Sequence, residues 1–405
     1  MEAFGVTLKR HRLNAGMSLR QLGAAARIDY SYLSQVERGV RRASRALAED
    51  CDRAIGLGGG LVQAWQQAGE IDVHRRTVLG VMGALAAAPA VAPLVGLEAL
   101  RHTLGAAAGT DTDAWERIVA GYARDFYILP APLLRDHLQA DLTVLSHQLA
   151  AAPDDRGLLR AAAHLAAIMA MGVSAAGLHG MARRWWDDAR VYADRSTCLD
   201  TRLWVRDWEV VNGTYERRPV AAILDRADET VALAADRVCV GHVGVLSGRA
   251  QALAVAGRAD EARRALAVTA AMTDRMPPGV VADADSMFGW PEVRLRHTES
   301  YVYTHIGDTA QAMAAQDRAL DLYPAELGRE RAQMLMHRAS CLIQDGDVGG
   351  GLRYAADVLD DLPAADHTAL LYQVARSVVA VVPERERRRA EVAGLRDRIA
   401  ALPAG

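Results

Sequence analysis

Beyond residue 110 no segment of this chain alternates apolar and polar residues as a half-buried strand must. Apolar side chains recur instead at helical spacing in runs of 12 to 20 residues, separated by Gly, Pro or Asp turns. From Phe4 to Gln67 the same spacing marks about five shorter helices. The chain is therefore expected to be all-α. At 405 residues it exceeds what one compact core organises, so several domains or a repeat array are required.

Charge divides the chain in the same place. Residues 1–76 hold 12 Lys/Arg against 8 Asp/Glu, a balance of +4, and the remainder holds 35 against 42, a balance of −7. A basic head on an acidic body points to a polyanionic partner for the head alone. Lys9 is the only lysine, and the surplus of Arg and Ala reflects base composition rather than function. Cys51, Cys198, Cys239 and Cys341 are far apart, without a CxxC pair, which argues against a disulfide framework or zinc site and for a reducing cytosol.

In the head, Phe4, Leu8 and Leu13 open a first helix that Gly16 closes. Ser18 is placed to cap a second helix through Leu22 to Ala26, Asp29 a third carrying Tyr32, Leu33 and Val36, and Ser44 a fourth through Leu47, Cys51 and Ile55. GLGGG at 56–60 is a turn, and a short fifth helix carries Trp65. Two helices of eight or nine residues around a tight connection at 26–28 form a helix-turn-helix layout, with Ala25 and Ala26 small at the crossing and Leu22, Ile28, Leu33 and Val36 on the buried side. Tyr30, Ser31, Ser34 and Gln35 remain on the other face, uncharged hydrogen-bonding groups suited to base edges in a major groove. Phosphate contacts are expected from Arg10, Arg12, Arg20, Arg38, Arg41, Arg42 and Arg45, and from Ser18 with the free N–H groups at its helix start. Glu37 is expected to support the fold, since a carboxylate facing phosphates would repel them.

The string GMSLRQLGAAARIDYSYLSQVERGVRRAS resembles the Cro/XRE phage-repressor family over residues 4 to about 67. That resemblance implies a lambda-repressor-like domain binding double-stranded DNA, with Tyr30, Ser31 and Gln35, and Ser34 nearby, at the base-reading places. Leu19 stands where many relatives carry a phosphate-binding Gln, and Ala43 replaces the usual Pro.

In the body, AQALAVAGRADEARRALAVTAAM (250–272), YVYTHIGDTAQAMAAQDRALDLYP (301–324) and HRASCLIQDGDVGGGLRYAADVLDDLP (337–363) share one layout. Small residues flank a glycine turn, and the second and third runs close on Pro324 and Pro363. Over roughly 111–400 this resembles the tetratricopeptide class of helical repeats, although the glycines are 50 and 39 residues apart against a nominal period of about 34. The insertion MPPGVVADADSMFGWP (276–291), expected to be flexible, accounts for the first excess. Head and body together resemble the RRNPP peptide-quorum receptors, which implies an effector held in the concave face of a superhelix. Those receptors clamp peptides with asparagine amides, and only Asn14 and Asn212 are available here.

Aromatic residues gather between 185 and 215. Trp204, Trp208, Val211 and Tyr215 form one stripe, and the adjacent Trp185 and Trp186 diverge by about 100° on a helix, so that one of them is free to face a groove. The stripe reads either as packing between repeat helices or as a ligand pocket of Arg183, Trp185, Trp186, Trp204, Arg206, Trp208, Asn212 and Tyr215. Catalytic residues, cofactors and metals are not expected: His297, Glu299 and His305 lack a third ligand at metal spacing, Asp283 and Asp285 sit in the insertion, and no nucleophile motif or phosphate loop occurs.

The segment HRRTVLGVMGALAAAPAVAPLVGL (74–97) has the twin arginines and apolar run of an export signal. Its position behind a folded domain, its Ala/Gly content and its Pro89 and Pro93 favour a linker helix packed on this protein or on a second copy over export or membrane contact. The expected organisation is a helix-turn-helix domain at 1–70, an apolar linker region at 71–110, and a helical-repeat sensor and dimerisation domain at 111–405. The expected function is a cytoplasmic, homodimeric, DNA-binding transcriptional regulator on a palindromic operator, controlled by a peptide, small molecule or partner protein. The alternative is a helical-repeat scaffold with a vestigial head.

Overall fold

The computed structural model describes residues 4–39, 41, 43–65 and 112–400, and every regular element among them is a helix. The chain divides into two compact units, within residues 1–97 and 98–405. The 71–110 linker and its export-like segment lie outside the described residues.

The head contains α1 (Phe4–Asn14), α2 (Leu19–Ala26), α3 (Tyr30–Glu37) and α4 (Arg45–Ile55), followed by a helical stretch at 60–65. Leu8, Leu22, Leu33, Cys51 and Leu61 are wholly buried in one cluster with Phe4, Val36 and Leu47. Each large apolar side chain so enclosed contributes about 2 kcal/mol. Ile28 is only partly covered, and Leu13 is 57% exposed, so the first helix buries Phe4 and Leu8 and turns Leu13 outward. The GLGGG turn is held from inside: the buried Asp52 carboxylate accepts the N–H groups of Gly59 and Leu61, both at 2.7 Å.

In the body, helices Thr112–Ile128 and Ala131–Ala151 pack on Arg156–Ala175, after which the chain runs as consecutive helical hairpins. Leu199–Tyr215 pairs with Val220–Ala234, Val240–Val255 with Ala259–Thr273, Glu292–Ile306 with Thr309–Leu322, and Gly328–Gln344 with Val348–Asp361. The first helix of each pair also packs on the first helix of the next. Gly257, Gly307 and Gly346 each turn with positive φ, a conformation that costs an L-residue roughly 1 kcal/mol or more. Ala262, Ala312 and Ala319 have no exposed surface, as expected of small residues where helices approach closely. The helix Arg156–Ala175 is long and apolar enough to cross a membrane, but 78% of its most apolar window is buried inside the body.

The insertion at 276–291 is not a free loop. Met287 and Trp290 are buried, Met287 N–H donates to the Ala123 carbonyl at 3.0 Å, and the Trp290 indole donates to Thr273 Oγ1 at 2.9 Å. Burying two large side chains fixes an insertion that is expected from sequence to be flexible.

Candidate functional site

The candidate DNA-facing surface of the head is built by local capping. Ser18 Oγ accepts the Gln21 N–H at 3.3 Å while the Gln21 side chain accepts the Ser18 N–H at 2.8 Å, a reciprocal pair that starts α2. Arg27 ends it in the left-handed region at φ 55°. A Cβ on Gly23 would lie 2.7 Å from the Ile28 carbonyl oxygen, so the close approach that shapes the turn belongs to Gly23, whereas Ala25 is exposed. Asp29 then starts α3 by accepting the N–H groups of Ser31 at 2.8 Å and Tyr32 at 3.1 Å. The Ser31 hydroxyl also donates to this carboxylate, which is held below its usual range chiefly by that bond.

With Leu33, Val36 and Glu37 turned inward, α3 presents Tyr30, Ser31, Ser34 and Gln35 outward; Tyr30 is 47% exposed and Ser31 is exposed, with Ser34 and Gln35 half-buried. The Arg20 guanidinium lies 5.3 Å from the Tyr30 ring centre, and Arg41 lies 5.7 Å from that of Tyr32. Cations thus stand beside the polar face. Arg10, Arg20, Arg38, Arg41 and Arg45 are exposed, Arg38 bonding the Ser34 carbonyl through Nε at 3.2 Å and Arg45 pairing with Glu49 at 2.8 Å. Arg42 lies outside the described residues.

Arg12 corrects the expected phosphate set. Its Nε and one terminal nitrogen donate to the two Glu37 carboxylate oxygens at 2.7 and 2.8 Å, and its other terminal nitrogen donates to the Met17 carbonyl at 2.8 Å. The two side chains are 8% and 5% exposed, so Arg12 ties α1, the α1–α2 connection and α3 together and is not available to DNA. The supporting role expected of Glu37 is this bond. Ser18 also acts first as a cap, its oxygen already accepting from Gln21. Arg27, exposed at the turn, escaped the sequence reading, and Trp65, expected only as part of the fifth helix, donates its indole N–H to the Ala43 carbonyl at 2.8 Å and anchors the loop where proline is absent.

The body holds a partly open cavity of about 170 Å³ lined by Phe126, Tyr127, Trp208, Tyr215, Trp290 and Tyr323, with polar groups from Asn212, Gln251, Arg294, His297, Glu330 and Gln333. Of the eight expected ligand residues, Trp208, Asn212 and Tyr215 line it. The other five do not. Trp186 is fully buried, its indole donating to Glu216 at 3.1 Å, and Trp185 packs against the same core. Trp204 is buried with its indole on the Met287 carbonyl at 3.2 Å, Arg206 is paired with Asp194 at 2.8 Å, and Arg183 is absent from the wall. The cavity lies where the 199–215 helix meets residues of seven other helices, so the stripe is packing at one end and wall at the other. His297 shares a 2.8 Å bond with the Tyr323 hydroxyl, and burial pushes its imidazole down to about 4. Among the described residues, no three His, Cys, Asp or Glu side chains gather as a metal site.

A family model described as a helix-turn-helix domain matches residues 3–65. No curated protein and no solved structure matches the chain. The head is a helix-turn-helix DNA-binding domain, and the described remainder of the chain is helical.

Proposed function

We propose that this protein is a sequence-specific transcriptional regulator of the Cro/XRE type, acting as a cytoplasmic homodimer whose operator affinity is set by an effector bound in the helical body. It is not an enzyme in this reading. The observation that carries the proposal is the outward hydroxyl and amide face of α3, flanked by the exposed Arg20, Arg38 and Arg41, within the matched segment. Polar groups at base edges supply specificity and arginines on phosphates supply most of the affinity. A single head covers few base pairs, so two heads on half-sites about 34 Å apart, or a multiple of that, form the complete reader. The body's consecutive hairpins support the tetratricopeptide resemblance and, through it, the effector role implied by the peptide-receptor layout. An effector acts by binding one arrangement of the two heads more tightly than another.

The test is binding of purified protein to DNA upstream of its own gene and to random DNA across a salt series. Gln35→Ala is expected to lower the preference for the specific site by about 1–3 kcal/mol, whereas Arg41→Ala weakens both DNAs alike and reduces the salt slope by about one. A steep slope with equal affinity for the two DNAs would leave only charge attraction and return the scaffold reading.

A further inference from the structure

The body cavity holds a guanidinium and a carboxyl group that are not paired with each other. Arg294 sits between two indoles, its guanidinium carbon 4.8 Å from the Trp208 ring centre and 4.6 Å from that of Trp290, and donates one N–H to the Gly289 carbonyl at 2.8 Å. Among the described residues it forms no ion pair. Across the same wall Glu330 carries a carboxylate oxygen that is shut off from solvent and accepts no hydrogen bond. The neighbouring Arg329 does not satisfy it, because its guanidinium bonds the carbonyls of Phe126 and Tyr127, each at 2.9 Å, and approaches Asp366. Asp207, whose carboxyl burial pushes up to about 8, makes no hydrogen bond to Arg294 through either oxygen. Two further polar atoms of the wall lack partners, the Trp208 indole N–H, a donor, and Gln251 Oε1, an acceptor; their side chains are 9% and 3% exposed.

A polar group shut off from water without a partner is costly, and a cavity that sets a guanidinium and an unpartnered carboxyl oxygen beside an unused donor and an unused acceptor is complementary to a particular kind of molecule. A carboxylate answers Arg294 and the Trp208 N–H. An ammonium answers Glu330 and Gln251 Oε1. Six aromatic side chains line the cavity together with aliphatic groups such as Leu134, Met171 and Leu370, and its volume is close to that which holds a single six-membered ring. We infer that the effector is a free aromatic α-amino acid, held as its zwitterion between Arg294 and Glu330. The inference rests on the effector reading above and narrows its choice among peptide, small molecule and protein.

Isothermal titration of the full-length protein decides it. L-Phenylalanine is compared with phenethylamine, which lacks the carboxylate, with 3-phenylpropionate, which lacks the ammonium, and with the dipeptide phenylalanyl-alanine. The amino acid should bind about tenfold or more tighter than either single-charge analogue, the loss expected when a charge-assisted hydrogen bond is removed. Arg294→Met should bring phenylalanine and phenethylamine to parity, and Glu330→Gln should do the same for phenylalanine and 3-phenylpropionate. No heat from phenylalanine at millimolar concentration, equal binding of the analogues, or tighter binding of the dipeptide each overturns the inference. The analogue series needs no variant, so a misfolded mutant cannot obscure the result. Affinity for upstream DNA measured in parallel keeps the two readings apart: phenylalanine that binds without changing DNA affinity upholds this site and removes effector control.

Discussion

At the residue scale, Arg12 and Arg38 carry identical chemistry to different ends. The Arg12 guanidinium faces a buried carboxylate and a carbonyl, whereas Arg38 lies exposed at the end of α3. Removing one member of a buried pair strands the other, so Arg12→Met is expected to cost about 3 kcal/mol in urea unfolding of the head. Arg38→Ala should leave stability within about 0.5 kcal/mol and lower the salt slope of DNA binding by about one. Equal effects of the two variants on stability would show that the assignment is wrong. Both residues were readable as arginines of a basic head. Which one turns inward depended on the partner 25 positions away, and a tally of charge along the chain does not contain that pairing.

At the scale of elements, starts and stops were legible because they are local. Ser18, Asp29 and Ser44 cap the helices they precede, each through a bond to a neighbour two or three residues on. The face of α3 followed from its apolar phase. Close approaches were less legible: Gly23, not Ala25, sits at the turn, and Gly23→Ala is expected to destabilise the head by about 1–3 kcal/mol and to weaken specific DNA binding with it. In the body, burial holds the imidazoles of His164 and His297 down to about 4, against 6.5 for the free group. The unfolded chain therefore takes up protons first as the pH falls. The stability these histidines contribute is complete above about pH 6.5 and is lost toward pH 4, at up to about 1.4 kcal/mol per unit for each. Urea midpoints of the body should fall between pH 7 and pH 5, and His297→Asn should flatten that dependence; an unchanged profile in the variant would place the acid sensitivity elsewhere.

At the scale of the whole molecule, the proposed dimer makes the simplest prediction. Sedimentation of the full-length protein at micromolar concentration should give twice the chain mass, and its footprint on upstream DNA should be two-fold symmetric. A monomer that still binds one site specifically would remove the dimer from the proposal and leave the DNA reader in place. Composition and periodicity alone determined that the chain is helical, that its basic end is a helix-turn-helix head, and which face of α3 is polar. Those properties arise from side chains within a few turns of one another. Only the tertiary structure decided that Arg12 is interior, that the tryptophans at 185, 186 and 204 are packing, and that Arg294 and Glu330 share a cavity. Its wall is drawn from residues between 126 and 370, and helix packing, rather than any repeat in the sequence, brings those side chains together.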